Sequence, residues 1–219
     1  MASCFSTGPV SRKQGLAPLS LIQTLALDRT ARRGQWCLSP FFLLFLAAAA
    51  CSRRPALPVY GHIPDFQLIS QTGQPFDRQS LDGKIWVADF IFTSCHGPCP
   101  RMSAQMRRVQ SAVSQLPDVR LVSFSVDPER DTPSVLAEYA VRYQAQPGRW
   151  FFLTGDRKTL DSLDRHAFML GNVDGSLEHS TRFVLVDRQG RIRGYYGNDQ
   201  DDPTAQLIAD IRRLARETS

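Results

Sequence analysis

Two cysteines four positions apart, Cys95 and Cys99, stand in the run Phe90-Ile91-Phe92-Thr93-Ser94-Cys95-His96-Gly97-Pro98-Cys99-Pro100, directly after an apolar stretch with strand character. Paired thiols support three chemistries: a structural disulfide, thiol-disulfide exchange, or capture of a soft metal ion. A bridge closing so short a loop would remove little chain entropy, which weighs against a purely structural bond. Exchange and metal capture both need the thiolate, and a cysteine with an ordinary pKa of about 8.5 is only slightly ionised at neutral pH. A helix N-terminus following the thiols would lower that pKa through its partial positive charge.

Three intervening residues rather than two depart from the Cys-x-x-Cys usual in disulfide exchangers of the thioredoxin type. Positions i and i+4 of a helix share a face, and two thiolates so placed suit Cu(I), which accepts two or three ligands; a structural zinc site would want four. Four histidines are available for a third ligand. His179, in Leu177-Glu178-His179-Ser180-Thr181-Arg182-Phe183, immediately precedes a strand, where thioredoxin-like folds face the thiol turn. From spacing alone the plainer reading of His179 is a solvated or capping residue. His62 falls in a linker and His166 in an apolar helical pattern beside Phe168, and both read as structural. His96, between the thiols, either tunes them, donates to a metal, or is an ordinary exposed loop residue.

The elements that must position these groups are legible in outline. Phe66 to Ile69 and Gln74 to Phe76 flank Gly73 as a short hairpin. Ile85 to Phe92 is an apolar run interrupted by Asp89, as expected of a strand covered on both faces. Pro100 suits a first helical position, after which Met102, Met106, Val109 and Val113 recur at helical spacing. A strand over Val119 to Val126, a helix opened by Asp131-Thr132-Pro133, and a strand over Trp150 to Leu153 follow. Phe183 to Val186 and Arg191 to Tyr196 flank Asp187-Arg188-Gln189-Gly190 as a second hairpin. Asp202-Pro203 opens a last helix carrying Leu207, Ile208, Ile211 and Leu214. Trp86, Trp150 and the phenylalanines are core candidates. The order β-α-β-α-β, then a hairpin and a closing helix, predicts an α/β thioredoxin-like fold: a central mixed sheet flanked by helices, with an N-terminal β-hairpin extension.

The other three cysteines, Cys4, Cys37 and Cys51, lie in or at the end of a leader. An apolar run from Leu38 to Ala50 follows Arg32 and Arg33 and ends at Cys51, in the outline of a secretion signal. The run is shorter than the roughly 20 residues of a membrane-spanning helix. Its small residues before Cys51 resemble a bacterial lipoprotein processing box, which would leave Cys51 as a lipidated N-terminus. Ala48 stands where such boxes favour Leu, and cleavage after an Ala-x-Ala run fits as an alternative. The uncomposed stretch before Arg32 also fits a translation start downstream of Met1. The expected organisation is a leader over 1–51, a tether over 52–64 with its three prolines, and one domain over 65–219, exported to the periplasm or the outer face of a bacterial membrane. Residues 1–50 hold five bases (Arg12, Lys13, Arg29, Arg32, Arg33) against Asp28 alone, so most of the net charge of +5 belongs to the leader. The near-neutral remainder gives no electrostatic case for nucleic acid.

From about Pro64 to Tyr196 the chain resembles the SCO/SenC family of thioredoxin-fold proteins associated with copper delivery to cytochrome c oxidase. The resemblance rests on Phe-Thr-Ser-Cys-x-x-x-Cys-Pro (Phe92 to Pro100), Ser125-Val126-Asp127-Pro128-Glu129-Arg130-Asp131-Thr132-Pro133, and His179-Ser180-Thr181 leading into Val-Leu-Val-Asp. It implies that Cys95, Cys99 and His179 are copper ligands. The family's usual Asp before the histidine is here Glu178, and its Pro-Asp between the cysteines is His96-Gly97. The Asp127 to Pro133 motif has a structural reading as strand end, loop and helix cap, with Asp131 or Thr132 as N-cap, and a secondary one at the edge of the site.

Two functions follow as expectations. The first is a copper metallochaperone in which two thiolates and one imidazole hold Cu(I) or Cu(II) for release to a copper-receiving subunit of cytochrome c oxidase or another copper or thiol protein. The second is an enzyme, a thiol-disulfide oxidoreductase using Cys95 and Cys99 as a redox dithiol, either on a copper-site protein or on peroxide in the peroxiredoxin manner. No Pro-x-x-x-Thr-x-x-Cys sequence stands at Cys95 to favour the peroxide version. A redox sensor or plain binding module is a third possibility.

Overall fold

The strand that leads to the cysteines, Ile85–Ile91 (β4), is buried at every position, because it runs through the middle of the sheet and is covered on both faces. The computed structural model describes residues 55–170, 181–197 and 203–217. Within them the strands are Gly61–His62 (β1), Gln67–Ser70 (β2), Pro75–Asp77 (β3), β4, Val119–Ser125 (β5), Trp150–Thr154 (β6), Phe183–Val186 (β7) and Arg191–Tyr196 (β8). The helices are Pro98–Ala112 (α1), Pro133–Arg142 (α2), Arg157–Ser162 (α3) and Pro203–Arg216 (α4). One sheet takes the order β1-β8-β7-β4-β5-β6-β2-β3. Strands β4, β5 and β6 are parallel, and the remaining pairings are antiparallel, so the expected mixed sheet is what forms.

Alternation along β4 sorts its side chains onto two cores. Ile85, Val87 and Ile91 pack with Met102, Met106 and Val109 of α1, Leu136 of α2 and Leu207 and Ile211 of α4. Trp86, Ala88 and Phe90 pack on the other face with Phe66, Phe124 and Phe168. Each large apolar side chain so buried contributes roughly 1.5–3 kcal/mol. Trp86 and Trp150 are both core residues.

Several boundaries differ from the sequence reading for identifiable reasons. Helix α1 starts at Pro98, two residues before the expected Pro100. The first four helical N–H groups have no intrahelical acceptor, so proline is tolerated at both places. Part of the stretch read as a tether belongs to the sheet: β1 pairs with β8, and Ile63 N–H donates to Gly190 O at 2.9 Å. The hairpin around Gly73, which adopts a positive φ of 74°, also docks on β6 through β2 and extends the sheet. Thr132, not Asp131, caps α2, its hydroxyl accepting Val135 N–H at 3.4 Å. His166 is exposed on a π-helical turn after α3 rather than part of the apolar face. Asp202, expected to cap the last helix, lies outside the described residues, and no described helix is long and apolar enough to cross a membrane.

Candidate metal centre

Parallel strands deliver their connecting loops to one edge of a sheet. Here the loop after β4 carries the cysteines and the loop after β5 carries the Asp127 to Thr132 motif. The two loops are neighbours because β4 and β5 are paired along their whole length, from Ile85↔Val119 to Ile91↔Ser125. The entry to β7 comes to the same edge, since β7 runs antiparallel to β4 with Ala88 opposite Val184.

Cys95 and Cys99 are thiols, not joined in a disulfide. They occupy different environments. Cys95 sits in the turn before the helix, half-buried, its N–H bonded to Phe92 O at 3.2 Å and its Sγ accepting Gly97 N–H at 3.4 Å. Cys99 lies in the first turn of α1 and is fully buried. Burial pushes the Cys99 thiol well above its ordinary pKa, a backbone hydrogen bond from Phe92 works the other way, and the Cys95 sulfur and the Asp89 carboxyl add to the rise. The lowering expected from the helix N-terminus is therefore reversed at Cys99, because loss of water outweighs the helix dipole. A cation arriving at this sulfur would replace its proton and supply the missing charge compensation.

No group of three or more His, Cys, Asp or Glu side chains suited to a metal is formed among the described residues. His179 and Glu178 lie outside the described residues. His96 is exposed on the turn between the thiols, and His62 is exposed on β1.

Sequence reading missed the role of Asp131. Its fully buried carboxylate accepts from Thr93 N–H, Thr93 Oγ1–H and Ser125 Oγ–H, tying the cysteine loop to the end of β5. The signal was present as the last acid of Asp-Pro-Glu-Arg-Asp, but a helix cap explained it as well. The other acids of the motif are more exposed: Glu129 pairs with Arg157 at 3.1 Å, and Asp127 meets Arg130 at 3.3 Å. They rim a pocket of about 200 Å³ that opens beside Phe92.

The SCO1/SenC family model matches residues 58–216. The chain belongs to the SCO1/SenC family. Its fold is similar to that of a SCO1/SenC family lipoprotein from Bacillus anthracis, with 33% identity, a TM-score of 0.65, and coverage of 75% of this chain and 99% of that one. BsSco, a member of the Sco family of cytochrome c oxidase assembly proteins in which a disulfide switch has been identified, is 30% identical with a TM-score of 0.66, over 76% of this chain and all of its own. ScoI of Arabidopsis thaliana with copper bound is 26% identical with a TM-score of 0.59, over 70% of this chain and 99% of its own. The SCO/SenC resemblance and the thioredoxin-like fold read from the sequence are both confirmed by these matches.

Proposed function

We propose that this SCO1/SenC protein is a copper metallochaperone in which the Cys95 and Cys99 thiolates and the His179 imidazole hold one copper ion as cargo. The observation that carries the reading is the thiol pair itself: two reduced cysteines at the mouth of one turn, one partly exposed and one buried, on a fold whose Arabidopsis relative holds copper. Two soft sulfurs favour Cu(I), and an imidazole makes Cu(II) acceptable as well. Loading replaces the thiol protons with the ion, and release proceeds by exchange of these ligands for those of a recipient. The recipient we infer is the copper-receiving subunit of a cytochrome c oxidase, in keeping with the oxidase-assembly role of the Sco family to which BsSco belongs.

His179 is supported as third ligand by the chain's course. It stands two residues before Thr181 in the sequence. Thr181 leads into β7, which enters at the edge carrying the cysteine turn. Glu178, next to His179 in the sequence, and His96, between the two cysteines, are the side chains we assign to tuning the ligands. Export with a lipid on Cys51 is the localisation that fits the apolar leader, and the Bacillus anthracis relative is itself a lipoprotein.

Anaerobic titration of the reduced protein with Cu(I) and with Cu(II), beside Cys95→Ser, Cys99→Ser and His179→Ala, tests the proposal. One tight equivalent, with a thiolate-to-copper(II) absorption band that each substitution removes or shifts, is the expected result. Weak, non-stoichiometric binding indifferent to all three residues would overturn it and leave dithiol exchange by Cys95 and Cys99 as the chemistry of the site.

A further inference from the structure

Asp131 is fully buried, yet the donors converging on its carboxylate in the cysteine loop are neutral groups rather than a cation. Thr93 N–H reaches Oδ1 at 3.2 Å and Oδ2 at 3.3 Å, and Thr93 Oγ1–H reaches Oδ1 at 2.5 Å. Ser125 Oγ–H donates to Oδ2 at 2.6 Å, and that same Ser125 oxygen accepts Asp127 N–H at 3.0 Å. Burying a carboxylate costs several kcal/mol unless it is well hydrogen-bonded. Capping α2 does not require it, because Thr132 is the cap. What the carboxylate does at this place is join two loops: Thr93 follows β4 by two residues, and Ser125 ends β5.

The joint is linked to the thiols through the neighbouring residue Phe92. Phe92, next to Thr93, accepts Cys95 N–H through its carbonyl at 3.2 Å and provides the backbone hydrogen bond to the Cys99 sulfur. Fixing Thr93 therefore fixes the peptide that orients both cysteines. We propose that Asp131, through Thr93, is a positioning residue that sets the separation and aim of the Cys95 and Cys99 sulfurs. This deepens the copper reading above and rests on it. Two thiolates held in place accept an ion without first ordering their loop, and the same constraint governs how readily the pair closes to a disulfide, whose geometry is narrow.

The test uses the purified full-length reduced chain and its Thr93→Val, Thr93→Ser and Asp131→Asn variants, with Cu(I) alone as probe. Cu(I) affinity is expected to fall roughly 10- to 100-fold in Thr93→Val and Asp131→Asn, and the midpoint potential of the Cys95/Cys99 couple is expected to move in the same two variants. Thr93→Ser, which keeps the hydroxyl, is expected to match the unmodified protein in both readouts. Unchanged affinity and potential in Thr93→Val would overturn the proposal; this variant also decides the matter alone if Asp131→Asn does not fold. If the unmodified protein takes up no stoichiometric copper, the copper reading fails, and the potential of Thr93→Val still judges the clamp.

Discussion

Ser123 Oγ donates to Asp89 Oδ1 at 2.6 Å across the paired strands β4 and β5, while Asp89 Oδ2, equally buried, has no partner among the described residues. Trp150 Nε1–H donates in turn to Ser123 Oγ at 3.0 Å. Burial pushes the Asp89 carboxyl up to about 7, against the opposing pull of the Ser123 hydrogen bond. Asp89 lies on β4, six residues before Cys95 in the turn that follows, and its charge is felt by Cys99 and by Tyr139 of α2.

A pH dependence of stability follows from this carboxyl. Between about pH 4 and about pH 7 the folded chain keeps a proton that the unfolded chain has lost, so stability falls as pH rises through that window. Asp89→Asn removes the ionisation but keeps an acceptor for Ser123. It is expected to be more stable than the unmodified protein at pH 8 by about 2–4 kcal/mol, with the gain shrinking towards pH 4. Urea denaturation at pH 4.5, 6 and 8 checks this; equal differences at all three would contradict it.

The two thiols should react unequally. Cys95 is partly exposed, whereas Cys99 is fully buried with its thiol pushed to a higher pKa by that burial. Brief iodoacetamide treatment of the reduced native protein, mapped by mass spectrometry, is expected to label Cys95 at least about ten times faster than Cys99. Comparable rates would show that the turn opens in solution.

Arg193 anchors the N-terminal segment. A bulge opposite Leu185 and Val186 makes it the extra residue of β8, and its buried guanidinium bonds Asp187 Oδ2 at 2.8 Å, Leu57 O at 2.7 Å and Pro58 O at 3.1 Å. Although burial opposes it, the Arg193 and Arg191 guanidiniums hold the Asp187 carboxyl below its ordinary range. Arg193→Ala leaves that buried carboxylate with Arg191, at 2.7 Å, and without the second guanidinium, and is expected to cost about 1.5–3 kcal/mol. Amide exchange should accelerate at Tyr60 and Ile63, whose N–H groups bond Ile192 O and Gly190 O. Unchanged exchange there would mean that the β1 pairing holds without the arginine.

Gly194 has no room for a side chain. A Cβ would lie 2.6 Å from Tyr196 Oη and 2.9 Å from its ring, and Tyr196 is held in place by a buried hydrogen bond to Asp210 at 2.9 Å. Gly194→Ala is expected to lose about 1–3 kcal/mol in thermal or chemical denaturation. A variant as stable as the unmodified protein would show that Tyr196 repacks freely.

Much of the fold was legible because its signals are local. The continuous apolar run of β4, the helical spacing of Met102, Met106 and Val109, and the turn at Gly73 each state their structure within a few residues. The pairing of β1 with β8 was not, because it joins residues about 130 apart and leaves only two strand residues as a local trace. The thiol turn was found from type and spacing alone. The Asp131 clamp was hidden because its partners, Thr93 just after β4 and Ser125 at the end of β5, become neighbours only when β4 and β5 pair. The direction of the Cys99 shift was misread for a related reason: the helix N-terminus is visible in sequence, but the depth of burial is not.

The copper site we propose is made of Cys95, Cys99 and His179. X-ray absorption at the copper edge, on the protein loaded with one equivalent of Cu(I), addresses it most directly. Two sulfur scatterers and one imidazole nitrogen, with the nitrogen lost in His179→Ala and the sulfurs lost in Cys95→Ser with Cys99→Ser, is the result expected. A nitrogen that persists in His179→Ala, or a copper environment without sulfur, would contradict the assignment.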